Sequence, residues 1–192
     1  MKATSIQFVC AVLFVSFLSL RARADVALDL GATFSSDSLS TASEAKNSQT
    51  FYNLSALFNL DSKMQWNVGW TVFGISQNSS ASSVDTQYSS FDMGPAFRWN
   101  MDKRGIFSFT LVYGYLAKGK YSSGSTSEEW DGSSLLLQLA ALAPIQEDKF
   151  FVGLSLNSYS ANYTEKTVSN VKSAVTAKKS WLFPMVTMTW RL

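Results

Sequence analysis

Histidine does not occur anywhere in the 192 residues. That absence removes Ser-His-Asp hydrolysis, histidine metal ligation and the usual acid-base shuttle of neutral pH. Cysteine occurs once, as Cys10, so neither a disulfide framework nor a cysteine metal site can be assembled. Charge is sparse: Asp, Glu, Lys and Arg make up 16 % of the chain, against about a quarter in ordinary soluble domains. Carboxylate-only catalysis needs two acids suitably spaced in a cleft, and no such pair stands out. The chain therefore reads as non-enzymatic, with no cofactor and no metal.

What is present begins with an N-terminal leader. Residues 1–24, MKATSIQFVCAVLFVSFLSLRARA, place Lys2 ahead of an apolar run and close on Ala22-Arg23-Ala24, the pattern of a cleaved secretory signal. The run is short of the roughly twenty residues a helical span needs. Cys10 lies inside it, with too little apolar sequence ahead of it for a lipoprotein signal. The expected organisation is a signal peptide over 1–24 and one domain over 25–192. Cleavage would remove Lys2, Arg21 and Arg23, taking 16 basic residues to 13 against 14 acidic ones. A net charge of about −1 gives no support for a nucleic-acid partner.

Beyond the leader, period-two alternation recurs eight times: VALDLGATF, FYNLSALFNL, MQWNVGWTVFG, FDMGPAFRWNM, FSFTLVYGYLAK, LLLQLAALAPI, FFVGLSLNS and WLFPMVTMTWRL. Alternation with that period is the signature of strands with two unlike faces. Connections alternate as well. DSK, DKRGI and QEDK are short and charged, whereas the segments near 35–49, 76–88, 121–133 and 163–179 are long. The sequence predicts loops there, with a short helix within TVSNVKSAVTAK in the last. Pro95 and Pro184 fall mid-run, and each is expected to cause a bulge or a missing hydrogen bond.

The two faces differ in bulk and charge. The phase holding Leu30, Leu54, Trp70, Phe97, Leu111, Leu154 and Val186 is large and apolar, and no run places a charge in it. The opposite phase is rich in Gly, Ser, Thr, Asn and Gln. A soluble barrel packs its bulky face inward, as a lipocalin-like ligand carrier does; a membrane barrel turns it outward. A lipid-facing Arg or Lys costs about 2–4 kcal/mol at midplane, which gives a physical cause for the missing charge. Aromatics of that phase gather near the run ends, with Trp66, Trp99, Phe107, Phe150 and Trp190 at the short turns and Phe34, Tyr52, Phe91 and Tyr115 toward the long segments. Two interfacial girdles are the expectation.

Leader, strand count, loop asymmetry and an apolar terminal strand together resemble the small eight-stranded outer-membrane proteins of the OmpX and OmpA barrel type. Trp190 and Leu192 match the alternating terminal signal of such barrels, with Leu in place of the usual final aromatic. The resemblance covers residues 25–192 and is architectural, without a motif of one subfamily. It implies an all-β, eight-stranded antiparallel up-and-down transmembrane barrel in a bacterial outer membrane, with short periplasmic turns and longer extracellular loops. It also implies outer-membrane lipid and lipopolysaccharide as surroundings and the barrel assembly machinery as a partner during biogenesis. Small barrel enzymes of that membrane rely on histidine, so their activities do not carry over.

Four charges fall in the inward phase: Asp29, Asp92, Arg98 and Lys118. Asp29 and Arg98 sit at one level, about 10–13 Å above the short turns, and Asp92 and Lys118 sit higher on neighbouring strands. The expectation is a charge network at two levels that plugs the lumen; a narrow passive pore is the alternative. In the loops, Glu128, Glu129 and Asp131 surround Trp130, and Lys166, Lys172, Lys178 and Lys179 form a basic set. Three readings stay open: attraction between these sets across the rim, lysines bridging lipopolysaccharide phosphates, or Trp130 contacting an unidentified protein. The overall expectation is a structural or surface-interaction, adhesin-like role.

Overall fold

The computed structural model describes residues 26–39, 45–61, 63, 65–81, 84–146 and 149–192. The expected signal peptide and the position of Met64 lie outside these residues. Eight strands follow one another: β1 (Val26–Leu39), β2 (Ala45–Asn59), β3 (Trp66–Ala81), β4 (Val84–Asn100), β5 (Phe107–Ser123), β6 (Thr126–Gln146), β7 (Phe150–Val168) and β8 (Val171–Arg191). Each pairs antiparallel with its sequence neighbours, and β8 returns to β1, closing the sheet into a barrel. The weakest of the eight alternations, LLLQLAALAPI, is strand β6. Its leucines and alanines suit a helix by propensity, but β6 is hydrogen-bonded on both sides by β5 and β7.

Among the described residues, the long connections are paired strand rather than loop. The β1–β2 register continues from Phe34↔Thr50 to Leu39↔Ala45, and β3–β4 runs to Ala81↔Val84. The β5–β6 pairing reaches Ser123↔Thr126, and β7–β8 reaches Val168↔Val171. The expected helix within TVSNVKSAVTAK is instead the tip of the β7–β8 hairpin, where Ser169 and Asn170 both have positive φ (50° and 66°). Positive φ at both central residues gives the turn twist that matches two flanking strands. Ser, Thr and Asn made these segments look like loops, yet pairing along a preformed hairpin satisfies their backbone without apolar side chains.

Prolines mark the irregularities. Around Pro95 the β4–β5 register shifts between Met93 and Ala96, and the β5–β6 register shifts between Gly114 and Ala117. Both shifts place one extra residue in β5, near Tyr115 and Leu116. Pro144 sits at the shift between Pro144 and Gln146 in the β6–β7 pairing. Pro184 keeps its place opposite Leu156 on β7, but on the other side the β1–β8 ladder runs only from Ala27↔Arg191 to Ala32↔Val186.

The tight turn between β4 and β5 is held by Asp102, whose carboxylate accepts backbone N–H bonds from Arg104 (2.8 Å), Ile106 (3.2 Å) and Phe107 (2.7 Å). Gly105 has φ 69° there, a left-handed conformation that strains most side chains, and a Cβ would displace the Arg191 guanidinium. Partial burial pushes the Asp102 pKa up, but the backbone donors outweigh that and hold it below the usual carboxylate value. A lowered native pKa means that the carboxylate stabilises the fold at every pH above its unfolded value, and that this contribution fades as pH falls through the native value. Asp102→Ala should lower stability by about 1–2 kcal/mol at neutral pH. Urea titrations across acid pH should show the gap between the two proteins closing as the wild-type carboxylate protonates.

Candidate functional site

Which face each residue presents decides what the barrel can do. Trp70, Leu111 and Val186 are 50 %, 36 % and 47 % exposed on the outside. They share one level with Leu30, Leu54, Phe97, Leu139 and Leu154, all of them exposed, so a continuous apolar band encircles the barrel. Near the short turns the outer face carries Trp66, Trp99, Phe107, Phe150 and Trp190. Trp66 stacks on Trp99 at 6.0 Å and Phe150 packs on Trp190 at 4.7 Å. Toward the other rim stand Phe34, Tyr52, Phe91 and Tyr115, each exposed. The Tyr115 ring meets Trp70 edge-on at 5.8 Å.

The interior is layered. Its half nearer the short turns is mostly polar, with Leu57, Leu142 and Phe151 also buried there. Asp29 on β1 and Arg98 on β4 reach across the barrel and form a buried bidentate ion pair, with Nη1 to Oδ1 at 3.2 Å and Nη2 on Oδ2. Thr189 donates to Asp29 Oδ1 at 2.7 Å, and Arg98 Nε donates to Thr110 at 3.1 Å. Gln138 donates to Ser155 (3.2 Å) and to Asn157 (3.1 Å), while Ser155 and Thr187 share a bond of 2.9 Å. A charge pair this deep is costly to desolvate, and its remaining lone pairs and protons must be satisfied; the two threonines do that.

The other half is an aromatic core, which the composition of the inward phase had not announced. Phe51 stacks on Phe183 at 3.8 Å, Phe73 packs on Tyr159 at 5.1 Å, and Met185 lies over Gly31, where a Cβ would come within 2.4 Å of its methyl. The signal was in the sequence: Phe51, Phe73, Phe183 and Met185 share a phase with Asn53, Thr71 and Thr187. They were overshadowed by the larger number of small polar residues in that phase.

Two expected site residues are placed otherwise. Lys118 does not join Asp92 in the lumen. The extra residue in β5 inverts the phase beyond Tyr115, so Lys118 points outward and meets Asp131 at 3.8 Å. Asp92, 2 % exposed, instead accepts bonds from Ser90 and from Tyr159 (2.6 Å). Trp130 is not a free loop side chain either. It lies in β6 in the same phase as Gln138 and is 9 % exposed. It stacks on Tyr121 at 5.3 Å, and its indole N–H donates to Glu128 at 2.9 Å.

The charged sets at this rim are carried by strands. Glu128 pairs with Lys166 at 3.0 Å, joining β6 to β7, and Lys172 pairs with Glu165. The Trp130 bond, followed by Lys166, holds the Glu128 pKa below its usual value. Glu129 and Lys178 are exposed, and Lys179 sits over the rings of Tyr88 (4.9 Å) and Trp181 (5.7 Å). Among the described residues no group of three or more Asp and Glu side chains is arranged to hold a metal ion.

No protein-family profile matches the chain, and no curated protein does. Among solved structures it is similar to the translocator domain of autotransporter NalP from Neisseria meningitidis, at 11 % identity and a TM-score of 0.39. The similarity covers 95 % of this chain and 66 % of that one, just under two thirds of its length. At that distance the likeness carries no functional argument.

Removing one member of the buried pair leaves the other charge stranded. Arg98→Met should lower stability by about 3–5 kcal/mol, read as a shift of the urea midpoint in micelles. Adding Asp29→Leu should recover part of that loss, because no buried charge then remains.

Proposed function

We propose that the chain is a non-enzymatic integral protein of a bacterial outer membrane, with a plugged lumen and with its strand extensions as the surface that meets other molecules. One observation carries this reading: all eight strands turn large uncharged side chains outward at one level, while charge and amide groups turn inward. A soluble ligand-carrying barrel has the reverse polarity, because water then lies outside. The Asp29–Arg98 pair, the amides around Gln138 and the aromatic stack above them support a filled interior, which suits the radius of an eight-stranded barrel. The hairpins that continue beyond Tyr52, Phe91 and Tyr115 are rich in Ser, Thr, Asn and Lys. Beyond Tyr115, β5 runs to Ser123, a length of roughly 25 Å along the strand at the strand rise. That reach supports a structural or adhesin-like role.

Expressed with its leader in a Gram-negative host, the protein should fractionate with outer membranes and migrate anomalously on gels until boiled. Recovery as a soluble protein without detergent would contradict the reading. Leu111→Arg should reduce folding into bilayers by about 2–4 kcal/mol, whereas an exposed surface position of a soluble protein would tolerate it within about 0.5 kcal/mol. In planar bilayers the wild-type barrel should be electrically silent; steady conductance would replace the plugged reading with the narrow pore.

A further inference from the structure

The barrel is not equally zipped all round. Across the β1–β8 seam, Leu192 N–H donates to Val26 O at 2.8 Å, while Arg191 N–H donates the other way, to Lys149 O. Backbone direction alternates along a strand, so even-numbered β8 residues aim their amides at β1. Pro184 is one of them. It has no N–H to give, and the seam ladder stops one step short of it, at Ala32↔Val186. Beyond that point β8 is paired with β7 alone among the described residues, and Leu182 and Ser180 turn their amides toward the parting.

The outer surface of the parting is both oily and basic. Phe34 and Leu182 flank it at 69 % and 70 % exposed. Above them stand Lys178 on β8 and Lys46 on β2, both exposed, with the half-buried Lys179 turned inward beside Trp181. The rim lysines Lys118, Lys166 and Lys172 each have a carboxylate partner, and Lys120 lies in register with Glu129. Lys46, Lys178 and Lys179 have no such partner among the described residues. On the outer face, Lys178 thus stands above backbone donors that point into the parting and above an apolar strip.

We infer that the β1–β8 parting seats a phosphorylated lipid of the outer leaflet. Its phosphate is held by Lys178 and the β8 amides, and its acyl chain lies along Phe34, Leu182 and Val186. Lysine and backbone N–H are the donor types that bind phosphate oxygens. In hydrocarbon, an open strand edge needs a hydrogen-bonding partner, which the headgroup supplies. This inference rests on the membrane reading above.

The test uses the purified barrel in phosphatidylcholine nanodiscs, titrated with diphosphorylated lipid A. A heat-modifiability gel on the same samples shows independently that the barrel is folded in the membrane, so failure of that reading is seen separately. Saturable binding is expected, with slowed hydrogen exchange at the Leu182 and Ser180 amides. Lys178→Gln should weaken binding at least tenfold, whereas Lys179→Gln, on the lumen side, and Lys120→Gln should leave it unchanged. Pro184→Ala, which restores the missing donor and lets the ladder extend, should weaken it too. The proposal is overturned if dephosphorylated lipid binds equally well, or if Lys178→Gln binds like wild type. Competition by millimolar inorganic phosphate would overturn the lipid as ligand and leave a site for free phosphate.

Discussion

Backbone hydrogen bonding around a closed sheet is the constraint on which the rest of this structure depends. Within an apolar surrounding each unsatisfied N–H or C=O costs several kcal/mol, and closing a sheet on itself is the way a set of strands avoids exposing an edge. Once the ring is closed, side-chain alternation divides the protein into an outside and an inside. Every strand must then carry two compositions at once. The bulky face at the level of Trp70, Leu111 and Val186 is the one turned outward, and the inward face has to fill a narrow tube without leaving charges unpaired.

That tube is filled in two ways. Near the short turns, Asp29 and Arg98 neutralise each other, and Thr110, Thr189, Gln138 and Asn157 bond within the network around them, while Asn67 Nδ2 and Ser108 Oγ are left without a partner. Toward the other rim, rings replace hydrogen bonds, and the polar groups that remain, such as Asp92, are served by Ser90 and Tyr159. An aromatic layer needs few donors, so it can hold strands together beyond the level where the polar network ends. It also lets the four hairpins continue outward as paired strands.

Strand number, order and facing were legible in the sequence because they follow from a period of two that survives over ten residues or more. The level shared by Asp29 and Arg98 was legible for the same reason: neither β1 nor β4 is interrupted between the short-turn rim and the charge. Lys118 was misplaced because one extra residue near Leu116 reverses the phase, and a bulge leaves little trace in composition beyond the neighbouring Pro95. Trp130 was misplaced because Ser, Thr and Glu around it mimic a loop, although its even phase agrees with Gln138. The parting at the seam was half legible. Pro184 announces a missing donor, but only the register shows that the donor is missing on the β1 side.

The central claim is the direction of the apolar face, and tryptophan fluorescence reads it most directly. In a variant that keeps Trp70 and replaces the other five tryptophans by phenylalanine, bilayers of lipids brominated along the acyl chain should strongly quench the emission. Aqueous iodide should have little effect. Efficient quenching by iodide with none from brominated lipid would place Trp70 in water and contradict the account.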